Sequence, residues 1–180
     1  MRAYAAFLRA INVTGRRVKG PELCAVLERL GCSEVQAFRA SGNLVFHAPP
    51  EPEARLTERI EQGLQGALGY EVVTFLRSSD EVRTIAAAEP FEADLVEESK
   101  GKLQVAMLTA TPPAQARERV MAHASAHDRL AFGERELYWL PAGGTQQSEL
   151  DWKAIGAVLG QITVRTKGTV EQIAAKHFSG

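Results

Sequence analysis

Apolar residues recur along this chain with two different periods, and the switches between them mark out the elements. Residues 3–11 are apolar at nearly every position, with Tyr4, Ala6 and Leu8 on one face and Phe7 and Ile11 on the other. That pattern predicts a strand buried on both faces. After Gly20-Pro21, with proline at a favoured first-turn position, Leu23, Val26, Leu27 and Leu30 share one helical face, and Gly31 stops the helix. Residues 35–40 predict a second strand, Ser41-Gly42-Asn43 a turn, and residues 44–47 a third strand. Pro49-Pro50-Glu51-Pro52 forbids regular structure and leads into a second helix, where Leu56, Ile60, Leu64 and Leu68 repeat every four residues. Residues 70–76, β-branched and aromatic, predict a fourth strand. Ser78 or Ser79 can cap a short third helix containing Val82, Ile85 and Ala86.

The same order begins again at residue 102. Residues 103–109 predict a strand, and Thr111-Pro112-Pro113 starts a helix reaching about residue 123. A hairpin follows around Gly133-Glu134-Arg135, joining residues 129–132 to 136–140. Ser148 with Asp151 resembles a capping box for a helix carrying Leu150, Ala154, Ile155, Val158 and Leu159. Residues 162–165 predict the last strand and 169–178 the last helix, with Val170, Ile173 and Ala174 inward. Arg77 and Arg165 each end a fourth strand, and Val82-Arg83-Thr84-Ile85-Ala86-Ala87 and Val170-Glu171-Gln172-Ile173-Ala174-Ala175 stand at the same 88-residue offset. The expected fold is therefore α+β, a tandem of two βαββαβ units, residues 1–90 and 102–180. Each is expected to be ferredoxin-like and followed by a short helix. The acidic, aperiodic residues 91–101 are the expected linker.

In that topology the strand order is four, one, three, two, with right-handed crossovers. The end of strand one and the turn between strands two and three then share one end of the sheet, and Arg77 lies at the other. Units this small gain by packing against each other.

With 45% apolar and 24% charged residues and a formal net charge of −1, the 180-residue chain is ordinary for a soluble globular protein and carries no global basic field. No apolar run approaches the ~18 residues of a membrane span. The opening MRAYAAFLRAI reads as a strand and not as a signal peptide, because Arg9 interrupts it. A cytoplasmic location is expected. Cys24 and Cys32, eight residues apart, match neither a redox nor a zinc spacing and are expected as free thiols.

Four segments carry a family resemblance. They are Phe7-Leu8-Arg9-Ala10-Ile11-Asn12-Val13-Thr14-Gly15, Ser41-Gly42-Asn43-Leu44-Val45-Phe46, Arg77-Ser78-Ser79-Asp80-Glu81-Val82 and Pro90-Phe91. Together they resemble the bacterial domain of unknown function 1697 family, over nearly the whole chain. The chain departs from that pattern at Ala10, where glycine is common, and at Thr14-Gly15, where a glycine pair is reduced to one. It departs again at Arg165-Thr166-Lys167-Gly168-Thr169-Val170, in place of a segment rich in Asn and Trp. The resemblance implies a duplicated ferredoxin-like α+β fold and no established activity.

The candidate site is the end-loop cluster: Arg9, Asn12, Thr14, Gly15, Arg16 and Lys19, with Ser41 and Asn43 opposite and Arg17 pointing elsewhere on the loop. Guanidinium forks, a lysine and free backbone N–H groups leading into a helix N-terminus suit a phosphate or carboxylate. The same Asn, Gly and Ser residues are also ordinary turn chemistry. The loop has neither the P-loop spacing nor a dinucleotide glycine fingerprint, so no cofactor is expected.

Two other chemistries fit less well. Strands one and three of an RNA recognition motif display stacking aromatics, here Phe7 and Phe46. The third strand lacks the basic-Gly-aromatic pattern, and a doubly apolar strand one leaves no open face, so nucleic acid is not an expected partner. His47, His123, His127 and His177 form no ligand array, so no metal is expected either. Glu51, Glu53, Glu58 and Glu61 read as a solvated helix face, and Trp139 and Trp152 as core or interface aromatics. Three function classes remain: a binding module for a small anionic or phosphorylated ligand, a homodimeric interaction module, and an enzyme acting on a phosphorylated substrate at the same cluster.

Overall fold

The computed structural model describes residues 1–11, 15, 17–39 and 42–180. Asn12, Thr14, Arg16 and Ser41 of the candidate cluster lie outside the described residues. The first part of the chain runs β1 (Arg2–Arg9), α1 (Gly20–Arg29), β2 (Ser33–Ala37), β3 (Asn43–Ala48), α2 (Glu53–Leu68), β4 (Val73–Ser78) and α3 (Ser79–Ala87). A six-residue helix, α4 (Ala93–Glu98), occupies the stretch expected as linker. Then follow β5 (Gln104–Leu108), α5 (Ala114–Met121), β6 (Asp128–Phe132), β7 (Glu136–Pro141), α6 (Trp152–Leu159), β8 (Ile162–Thr166) and α7 (Lys167–His177). The fold is α+β with two four-stranded antiparallel sheets, ordered β2-β3-β1-β4 and β6-β7-β5-β8, so one permutation is used twice. Two compact units result: Met1–Arg83 with Ile173–Gly180, and Thr84–Gln172. Among the described residues no helix is long and apolar enough to cross a membrane.

In the first unit, Tyr4, Ala6 and Leu8 of β1 pack against Leu23, Val26 and Leu27 of α1 and Leu56, Ile60 and Leu64 of α2. Ala5 and Phe7, which alternate with them, are buried as well, as a doubly apolar strand requires. Ile11 departs from the expected alternation and joins the Tyr4–Leu8 side of the core. The strand stops at Arg9, and Ala10 turns into the left-handed region at φ 60°, which breaks the period of two.

The helix ends follow local chemistry. Ser78 caps α3 through a reciprocal pair: Glu81 N donates to Ser78 Oγ (3.3 Å) and Ser78 N donates to Glu81 Oε2 (2.8 Å). At the same offset in the second unit, Thr169 N donates to Thr166 Oγ1 (3.3 Å) at the start of α7. The capping box expected of Ser148 and Asp151 does not form. Asp151 is itself the cap of α6, its Oδ1 accepting from Ala154 N (2.9 Å), because Ser148 Oγ donates instead to Asp128 Oδ1 (2.6 Å).

The glutamates before and along α2 are not all solvated. Glu51 accepts from Arg59 Nη2 at 2.6 Å while Arg59 Nη1 donates to Leu30 O at 2.9 Å, tying α2 to the carbonyl end of α1. Glu61 Oε1 accepts from Thr74 N (2.8 Å), anchoring the start of β4. Long side chains at a helix edge reach neighbouring backbone donors that no single-helix pattern reveals.

Candidate functional site

Register brings the end of β1 and the start of β3 together. Phe7 stands opposite Asn43 across β1 and β3, and Leu8 N donates to Gly42 O (2.8 Å), so the β2–β3 turn lies beside the end of β1. Gly42 is required there: its φ is 72°, and a Cβ would approach Ile11 Cδ1 to 2.9 Å and Leu8 Cβ to 3.2 Å. Arg77 lies towards the opposite end of β1, opposite Ala5. It is 1% exposed, with Nη1 on Leu76 O at 2.9 Å. Arg165 holds the equivalent place opposite Val105, with Nη1 on Thr163 Oγ1 and Val164 O, and burial pulls its pKa down to about 10. Both arginines hydrogen-bond within their own sheets.

The described cluster residues divide in two. Arg9, Gly15, Arg17 and Lys19 are exposed. Asn43 is 1% exposed; its Nδ2 donates to Phe38 O (3.1 Å), and its own carbonyl accepts from Phe38 N (2.8 Å). Its amide therefore closes the β2–β3 turn. Lys19 is the N-cap residue of α1, in extended backbone conformation, and its side chain makes no capping bond.

A cavity of about 520 Å³ opens beside this loop. Arg17 and Val18 border it from the loop, Glu22, Val26 and Arg29 from α1, and Leu68 and Tyr70 from the end of α2 and beyond. The Tyr70 hydroxyl donates to Ile11 O, joining the cavity wall to the end of β1. Sequence reasoning sets Arg17 aside and does not single out Arg29. The signal for Arg29 is its three-residue step from Val26, which puts a charge on the margin of an apolar helix face.

Other chemistry is weaker. Cys24 and Cys32 are free thiols whose pKa values burial raises. For Cys32 burial outweighs the nearby Arg59, a basic neighbour in space that the sequence does not show. Raised thiols are poor nucleophiles at neutral pH. Among the described residues no three His, Cys, Asp or Glu side chains form a group able to hold a metal ion. Phe7 and Phe46 are 0% and 2% exposed, so neither ring is presented for stacking. Trp139 is buried in the second core and meets Trp152 edge-on at 5.2 Å.

The architecture defines an α+β protein with a repeated four-stranded unit and a basic-rimmed cavity in the first. The family described as "Protein of unknown function (DUF1697)" matches residues 1–138, and the chain belongs to that family. None of the curated proteins compared with it matches. Among solved structures, the conserved bacterial protein SP0830 from Streptococcus pneumoniae is similar in fold, with a TM-score of 0.73 at 21% identity over 97% of each chain.

Proposed function

We propose that the protein binds a small anionic or phosphorylated ligand at the loop end of the first unit, with the ligand's apolar part in the cavity beside α1. The observation that carries this reading is the cavity of about 520 Å³ with Arg17 and Arg29 on its border and Val26, Leu68 and Tyr70 among its lining. Small-molecule sites are typically about 300–1,000 Å³ and mostly apolar with a few polar groups. Guanidinium forks match carboxylate and phosphate oxygens. Arg9 at the end of β1 and Lys19 at the start of α1, both exposed, add positive field at this end of the unit. Glu22 borders the same cavity and disfavours a highly charged ligand. We also assign each unit to the ferredoxin-like class, supported by the repeated element order and the shared strand permutation.

Calorimetric titration with inorganic phosphate, mononucleotides, acetate and hexanoate tests the reading. Probes with an apolar body should bind more tightly than bare phosphate or acetate. Arg17→Ala and Arg29→Ala should each weaken binding by about 10–100-fold, because both guanidiniums are exposed in the free protein and a charge-assisted contact that the bound ligand covers contributes roughly 1.5–3 kcal/mol. No binding below about millimolar, or variants indistinguishable from wild type, would sink it. Loss confined to Arg9→Ala would move the ligand out of the cavity and onto the loop.

A further inference from the structure

A second, smaller cavity of about 250 Å³ lies wholly within the second unit, bordered by His127, Asp128, Gly143, Gly144, Gln147 and Glu149 among others. Its frame is held by hydrogen bonds of the backbone and of the Gln147 side chain. Ala142 N donates to His127 O (2.7 Å), Lys100 N to Ala142 O (3.3 Å), and Gly144 N to Gln147 Oε1 (3.3 Å). A Cβ at Gly101 would stand 2.3 Å from Pro141 and 2.5 Å from Gly143 O, so the loop after β7 is closely packed.

Asp128 is the unusual member. It is 3% exposed, and its Oδ1 accepts from both Trp139 Nε1 (2.8 Å) and Ser148 Oγ (2.6 Å). Among the described residues no donor reaches Oδ2 and no cation pairs with the carboxylate. Among the described residues Oδ2 is not one of the fully enclosed side-chain atoms without a partner, so it keeps some exposure. A buried carboxylate is costly unless an opposite charge or further donors meet it.

We propose that this cavity binds the primary ammonium group of a small amine, with Asp128 Oδ2 accepting one N–H and Glu149 supplying a second negative charge on the cavity wall. The geometry selects this class. Oδ1 already holds two donors, which leaves one oxygen for a point donor and disfavours the bidentate fork of a guanidinium. The side chains here do not form a metal-holding group of His, Cys, Asp or Glu. An ammonium group brings three donors on a compact charge. The size admits a small head group and not a drug-sized ligand. This site is separate from the one proposed in the first unit, and neither reading depends on the other.

The indole N–H of Trp139 shares Oδ1 of the same carboxylate, so its ¹H–¹⁵N resonance reports occupation of the site directly. The experiment titrates the full chain with propylamine at pH 7 and constant ionic strength, with 1-propanol, propionate and magnesium chloride as parallel arms. Propylammonium should shift the Trp139 indole peak saturably, and propanol and propionate should not. Asp128→Asn keeps an acceptor for Trp139 and Ser148 but places an N–H₂ at Oδ2; affinity should fall at least about tenfold. Glu149→Gln, on the surface, should lower it severalfold. An equal response to propanol, a saturable shift at lower concentration with magnesium, or an unchanged affinity in Asp128→Asn would overturn the proposal. Should Asp128→Asn fail to fold, an unchanged affinity in Glu149→Gln overturns it equally.

Discussion

Ala10 has φ 60°, a conformation that L-residues other than asparagine and aspartate rarely hold. The left-handed region costs a residue with a Cβ roughly 1–2 kcal/mol, and glycine gives back part of that advantage through its freer unfolded chain. Ala10→Gly should therefore stabilise the protein by about 0.5–1 kcal/mol. Chemical denaturation would show it as a higher midpoint at constant slope; a lower midpoint would mean that the alanine methyl makes a contact outweighing the strain. The departure from glycine is visible in the sequence through the family resemblance, but the backbone angle that gives it meaning is not. Asn43 shows the same limit from the other side. Asparagine can serve a turn or a ligand with one amide, and its bond to Phe38 O is not visible in the sequence. Arg17 and Arg29 converge on one cavity from a loop and a helix, and nothing in their local sequence marks that convergence.

At the scale of elements, hydrophobic period was a sound guide wherever an element buries one face. Leu56, Ile60 and Leu64 of α2 are all fully buried, as are Val82 of α3 and Val170 and Ile173 of α7. It was blind to α4, whose six residues include none that is buried. Element ends depend on side-chain hydrogen bonds, and α3 offers a direct test. Its Ser78–Glu81 pair satisfies two backbone donors reciprocally, so Ser78→Ala should cost about 0.5–2 kcal/mol. Glu81→Ala should remove a similar share, and the double variant should cost less than the sum, because the two groups act as one unit. Additive losses would show that the two bonds are independent.

The end of α7 carries a pH dependence. His177 meets the Phe38 ring edge-on at 6.0 Å, and burial, with the Lys176 charge adding to it, holds its pKa below the ordinary 6.5. As pH falls through about 6.5, the unfolded chain takes up this proton before the folded one does. Stability must then fall with acidification across the window between the ordinary and the lowered pKa. His177→Gln should lower stability at neutral pH through the lost ring contact but flatten the decline between about pH 7 and 5. Parallel pH profiles for the two proteins in urea would rule His177 out as the source.

Across the whole molecule the repeat is one plan used twice. The strand permutation recurs, an arginine stands opposite Ala5 and opposite Val105, and a hydroxyl caps the helix that follows each fourth strand. Element order and the 88-residue offset made this legible in the sequence, because each unit must satisfy the same sheet with the same kinds of residue. Discontinuity of the first unit was not legible. Ile173–Gly180 belongs to the compact unit of Met1–Arg83, and a helical pattern states which face is apolar without stating what it meets. Within that unit Ile173 is fully buried, Phe178 is 6% exposed, and Phe178 O accepts from Arg83 Nη1 at 3.0 Å. Burying each large apolar side chain contributes about 1.5–3 kcal/mol, so a chain ending at Gln172 should lose roughly 3–6 kcal/mol. The loss should fall on the first unit, and amide exchange resolves it by position. Amides of β1 and β3, held by a sheet whose core is otherwise intact, should lose protection in the shortened chain. If their protection is unchanged while stability falls elsewhere, the C-terminal residues do not belong energetically to the first unit, and its boundary lies before Ile173.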